Sequence, residues 1–84
     1  MTIRKRDKTL QKFDEKKITS AIRRAFKSVH VRYSTKATKD VCNIIYSKGV
    51  DEISVEEVQD IIENYLLNTP EYVNVGRSFA IYRE

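Results

Sequence analysis

Residues 2–29, TIRKRDKTLQKFDEKKITSAIRRAFKSV, decide how this chain is organised. In the second half, Ile18, Ala21, Ile22, Ala25, Phe26 and Val29 recur at i, i+3, i+4, i+7, i+8 and i+11, which predicts an amphipathic helix three turns long. Asp14 stands where an N-cap is needed. The first half is different. Arg4, Lys5, Arg6, Lys8, Lys12, Lys16 and Lys17 crowd residues 2–18 with few apolar neighbours. So charged a stretch stays disordered by itself, unless it folds around something anionic. Segments 2–6 and 9–13 read as two short strands about an Asp7-Lys8 turn, although Lys is a poor second turn residue where Gly would be ideal.

Working outward, three more helices are expected. One starts at Ser34 or Thr35, buries Ala37, Val41, Ile44 and Ile45, and stops near Gly49. The next opens on Ser54-Val-Glu-Glu57, a capping box, with Val58, Ile61, Ile62, Tyr65 and Leu66 as its apolar stripe. The last begins at Thr69-Pro70 and sets Tyr72, Val75, Gly76, Phe79, Ala80 and Arg83 on one side. Gly76 costs about 1 kcal/mol relative to Ala in mid-helix, so a close helix crossing is expected there. Four short helices pack as a bundle, and the hairpin must lie across it because two strands alone are not stable in water. The expected fold is therefore mainly α, in the α+β class.

Composition bounds the chemistry. The 84 residues form one domain, residues 1–84, with a single modest core. One Cys (Cys42) and one His (His30) exclude an internal disulfide and a zinc site, and they leave no nucleophile–base constellation for catalysis. Two isolated Gly residues cannot build a Walker-type phosphate loop. With no apolar run of membrane-spanning length, a soluble cytoplasmic protein is the expectation. The net charge of +4 is lopsided. Residues 1–27 hold ten Lys or Arg against Asp7, Asp14 and Glu15, or +7, while the remaining 57 hold six against nine acids, or −3. One end of the domain attracts anions.

Weighed singly, most residues have ordinary readings. Lys16, Arg23, Arg24 and Lys27 are expected on the solvated face of the first helix. Tyr72 and Tyr82 read as core aromatics, Cys42 as a small core residue, and His30 as following the first helix.

Taken in order, Ile3-Arg-Lys5-Arg6-Asp7, then Phe13-Asp14-Glu-Lys-Lys17-Ile18, then Val55-Glu-Glu-Val-Gln59-Asp60-Ile-Ile-Glu63, and finally Ala80-Ile-Tyr82-Arg83, resemble the ATP-cone. This is the adenine-nucleotide-binding regulatory domain at the N-terminus of many ribonucleotide reductases, also found in the repressor of reductase genes. The third segment looks most like the versions on anaerobic reductases. The resemblance implies four helices capped by a small, three-stranded mixed sheet. It implies ATP or dATP as effector, with Mg²⁺ accompanying the triphosphate, and control of activity through oligomeric state. Carried over by position, Ile3 and Gln11 would meet the base, while Lys5, Arg6 and Lys17 would face the phosphates. Val55 and Gln59 would line ribose and base, and Arg83 would stand near the last contact. Lys5 and Arg6 are expected on opposite sides of a strand. Two positions depart from the family pattern: Lys8 replaces the usual turn Gly, and Gln11 replaces a Glu.

The resulting expectation is an allosteric nucleotide-binding domain of a reductase large subunit. Its partners would be adenine nucleotides, the reductase catalytic domain and further copies of itself. The rival readings are the effector half of a repressor and a small basic nucleic-acid-binding domain. A repressor would place a zinc ribbon before the motif, whereas Met1 stands directly ahead of it, which favours the reductase. The spacing of the motifs makes nucleic acid the weaker reading.

Overall fold

The computed structural model describes residues 1–83. Strand β1 (Thr2–Arg4) is central in a three-stranded sheet of order β2-β1-β3. Strand β2 (Leu10–Lys12) runs antiparallel to it with Gln11 opposite Ile3, and β3 (Glu52–Ser54) runs parallel with Ile53 opposite Ile3. Four α-helices follow the chain among the described residues: α1 (Glu15–Ser28), α2 (Thr35–Ser47), α3 (Val55–Leu67) and α4 (Val73–Tyr82). The expected α+β architecture is observed.

The hairpin differs from its sequence reading. Its strands end at Arg4 and begin again at Leu10, so Lys5 and Arg6 belong to the turn and not to opposite sides of a strand. The Lys5 N–H donates to the Thr9 carbonyl at 2.8 Å, and the Lys8 N–H donates to the Lys5 carbonyl at 2.9 Å. Asp7 Oδ1 accepts from both the backbone N–H (3.0 Å) and the hydroxyl (2.6 Å) of Thr9. Lys8 takes φ = 70°, the left-handed conformation that the absent Gly would favour. The side-chain bonds of Asp7 and Thr9 hold a turn that Lys8 resists.

Helix α1 starts as expected, with Asp14 Oδ1 accepting from the Lys16 N–H at 2.9 Å. It ends where His30 adopts φ = 57° and Val31 N–H reaches back to the Phe26 carbonyl at 3.1 Å, the six-residue closure of a Schellman-type terminus. Ser54 Oγ accepts from the Glu57 N–H at 3.1 Å, its half of the predicted capping box. Residues 70–72 form a 3-10 turn before α4, so the last helix begins later than Pro70 suggested.

The core is built from Ile18, Ile22, Ala25 and Phe26 of α1, Ala37, Val41, Cys42 and Ile45 of α2, Ile53 of β3, and Val58, Ile61, Ile62 and Leu66 of α3, with Val75 of α4. Fully burying one such aliphatic or aromatic side chain contributes about 1.5–3 kcal/mol. Phe26 lies at the centre, with the Tyr33 and Tyr72 rings edge-on at 5.7 and 5.2 Å. Ile44 does not join the core: it is 36% exposed, while Thr38 is buried and exchanges a 2.7 Å hydrogen bond with the Tyr33 hydroxyl. The α2 stripe is therefore rotated slightly from the one the sequence suggested. Gly76 is buried where α4 crosses α3, as its composition cost implied.

Candidate functional site

Residues of α1 at positions 17, 21, 24 and 28 recur at spacings of four, three and four, and so share one helical face about 16 Å long. That face forms one wall of a cavity of about 680 Å³, within the range of small-molecule and cofactor sites. The sheet closes one end with Ile3 and Gln11, and the hairpin turn adds Lys5. Ile3 and Gln11 are cross-strand neighbours, so the β1–β2 register alone brings their side chains to the same face. Helix α3 supplies Val55 and Gln59, and α4 with the residue after it supplies Phe79, Tyr82 and Arg83. The floor is core: Ile18, Val58 and Ile62 are each less than 6% exposed. An apolar bed under a cationic rim suits a ligand with a flat apolar part and a charged tail.

Of the eight residues singled out from the sequence, Ile3, Lys5, Gln11, Lys17, Val55, Gln59 and Arg83 line this one cavity. Arg6 does not. Its Nε donates to Glu56 Oε1 at 2.5 Å and its Nη2 to Gln59 Oε1 at 3.2 Å, which holds the guanidinium against α3 at the rim. Arg83 lines the cavity but is already committed. Its Nη1 donates to Asp60 Oδ1 at 2.8 Å and faces Glu63 Oε1 at 3.4 Å, and its Nη2 lies 3.5 Å from Glu56 Oε2.

Lys5, Lys17 and Arg24 are in a different position. None of the three forms an ion pair with another described residue, and no carboxylate is among the described residues that line the cavity. Lys17 sits in the first turn of α1, where the helix dipole adds positive potential. Cations without a carboxylate partner around one concavity give it a positive potential, which favours anions.

One lining residue extends the sequence reading and another corrects it. Arg24 is exposed, as expected for the solvated face of α1, and also walls the cavity, while its neighbour Arg23 lies 4.8 Å over the Tyr33 ring. Tyr82, expected in the core, is 78% exposed at the cavity mouth. The signal for Arg24 was in the helix spacing: it lies seven residues, nearly two turns, beyond Lys17. A second, shallower hollow of about 460 Å³ is bordered by Arg23, Lys27, His30 and Arg32 at the far end of α1.

Little else has the makings of chemistry. Cys42 is 3% exposed, and burial, with Glu15 nearby, pushes its thiol up to about 11. No group of three or more His, Cys, Asp or Glu among the described residues is placed to hold a metal ion. No described helix is long and apolar enough to cross a membrane.

The chain is 33% identical to the vitamin B12-dependent ribonucleoside-diphosphate reductase of Thermoplasma acidophilum, over 95% of its own length and 11% of that protein. It is 29% identical to the anaerobic ribonucleoside-triphosphate reductase of Haemophilus influenzae, over 94% of its length and 12% of that protein. It therefore spans little more than a tenth of these curated relatives. The family model of the ATP cone domain matches residues 1–84 throughout, and the chain belongs to the ATP-cone family, a regulatory and non-catalytic domain of ribonucleotide reductases.

Proposed function

We propose that this chain is the adenine-nucleotide sensor of a cytoplasmic ribonucleotide reductase, binding ATP or dATP in the cavity between sheet and bundle and passing the occupancy to a catalytic domain through oligomeric state. The observation that carries this reading is the convergence of Lys5 and Lys17, without carboxylate partners among the described residues, on an apolar-floored cavity. In it, Lys5 and Lys17 neutralise the phosphates, Ile3 and Gln11 meet the adenine edge, and Val55 and Gln59 face the ribose. The Gln11 amide oxygen accepts from the adenine amino group, without the added charge of a carboxylate. Arg83 braces the wall from its carboxylate clamp. Mg²⁺ comes with the triphosphate and is held by its oxygens, since the described residues offer no metal cluster of their own.

ATP and dATP differ only at the 2′ hydroxyl. One hydrogen bond contributes about 0.5–1.5 kcal/mol net. That is enough to bias an association equilibrium held near balance, provided the two liganded states differ in the surface they present.

The test is thermal unfolding with a panel of ribo- and deoxyribonucleoside triphosphates. A ligand at 100 times its Kd stabilises the native state by about 2.7 kcal/mol, or roughly 10–20 °C for a domain of this size. Stabilisation by ATP or dATP above the other bases supports the reading. Indifference to both, together with oligonucleotide binding that falls steeply with salt, overturns it.

A further inference from the structure

Glu56 joins the two ends of the chain. One oxygen, Oε1, accepts from Arg6 Nε at 2.5 Å, and the other, Oε2, lies 3.5 Å from Arg83 Nη2. Its helical neighbours Val55 and Gln59 line the cationic cavity, whereas Glu56 itself is not among the lining residues. Thus the one cation of the Lys5-Arg6 pair that does not line the cavity, the Arg6 guanidinium, is the one this carboxylate holds.

The two arginines are held very unequally. The Arg6 and Glu56 side chains are 62% and 52% exposed, and ion pairs that wet are weak. Arg83 is 13% exposed and has three acids on α3, namely Glu56, Asp60 and Glu63. The Glu56 carboxylate can let go of Arg6 with little loss, whereas Arg83 stays on α3 with or without it. A phosphate group offers a guanidinium the same two-pronged acceptor geometry as a carboxylate, with more charge behind it.

Resting on the nucleotide-sensor reading, we infer that Glu56 is a positioning residue for the polyanion: it parks Arg6 on α3 in the empty domain and surrenders it to a phosphate when the cavity fills. Released from Arg6, the carboxylate serves Arg83 alone and tightens the last turn of α4 onto α3. The exchange gives the domain two discrete arrangements, Arg6 on Glu56 and Gln59 or Arg6 on phosphate, and it carries the phosphate signal from the hairpin to the end of α4 through the Glu56 carboxylate. Such a two-state element, biased by ligand, is what a coupling between sites requires.

The experiment is calorimetric titration of ATP into the wild-type chain, Glu56→Gln, Arg6→Ala and the double variant, with circular dichroism to show that each is folded. Removing the competitor for Arg6 should lower the Kd about two- to fivefold, the fold-change equivalent of an exposed ion pair. In the Arg6→Ala background the same substitution should gain nothing. Amide exchange at residues 80–83 should slow on ATP binding in the wild type and not in Glu56→Gln. Equal or weaker binding by Glu56→Gln, or an equal gain with and without Arg6, overturns the exchange while leaving the sensor reading intact. A wild-type chain that binds no ATP overturns both.

Discussion

Gly76 of α4 lies so close to α3 that a Cβ added to it would stand 2.9 Å from the Leu67 backbone nitrogen and 3.0 Å from the Leu66 Cβ. Backbone cannot retreat as a flexible side chain can, so this contact sets how closely the two helices cross. It also sets the cavity, because Phe79 and Tyr82 follow on the same helix and Arg83 comes directly after it.

Replacing Gly76 by Ala therefore sets two effects against each other. Helix propensity alone favours Ala by about 1 kcal/mol, whereas overpacking against backbone costs about 1–3 kcal/mol. The expected outcome is a net loss of stability, read from the urea midpoint. A variant as stable as the wild type would show that the helices separate freely at this crossing.

Lys5→Ala and Lys17→Ala should each weaken ATP and dATP binding at least tenfold, the effect of losing a charge-assisted hydrogen bond. Neither lysine has an ion-pair partner among the described residues, so the empty variants should melt within a few degrees of the wild type. Unfolding on either substitution would assign that residue a structural role.

Arg23 and Arg24 make a matched control. They are adjacent in sequence, but only Arg24 walls the cavity, while Arg23 lies over Tyr33. Arg24→Ala should reduce nucleotide affinity severalfold and Arg23→Ala should leave it unchanged, both measured by titration calorimetry. Equal effects would mean that only the overall positive potential matters.

Acid should weaken the domain through Asp40. Its Oδ2 accepts from Lys36 Nζ and from the Tyr65 hydroxyl, both at 2.6 Å, and these bonds, the lysine's first, hold its carboxyl below the ordinary 3.8. Because the folded value is depressed, the unfolded chain takes up the proton first. The stabilisation is then complete above the ordinary value and disappears as pH falls through the lower folded one. Asp40→Asn should flatten the loss of stability below about pH 4, followed by urea unfolding from pH 7 to 2.5. Parallel wild-type and variant profiles across that window would remove Asp40 from the account.

The amino-acid sequence by itself determined the four helices and most of their inward faces, Ile44 and Tyr82 excepted. Asp14, Ser54 and Gly49 act within a few residues of their own positions, and the stripe from Ile18 to Phe26 follows a period that no distant contact has to supply. The order of the motifs, through the family resemblance it carries, also picked out seven of the residues around the cavity, whereas the β1–β2 register, with Gln11 and not Lys12 opposite Ile3, came from the longer turn that the structure shows. Only the tertiary structure decided the rest. The strand Glu52–Ser54 is three residues long and exists because β1, some fifty positions earlier, offers it a parallel edge and buries Ile53. Arg6 was readable as a cation but not as one held by Glu56, and Arg83 was readable near the site but not as one held by three acids of α3. The physical reason is the same in each case. Capping and periodicity are decided by neighbours along the chain, whereas the partner of a long charged side chain is decided by which segment the fold brings beside it.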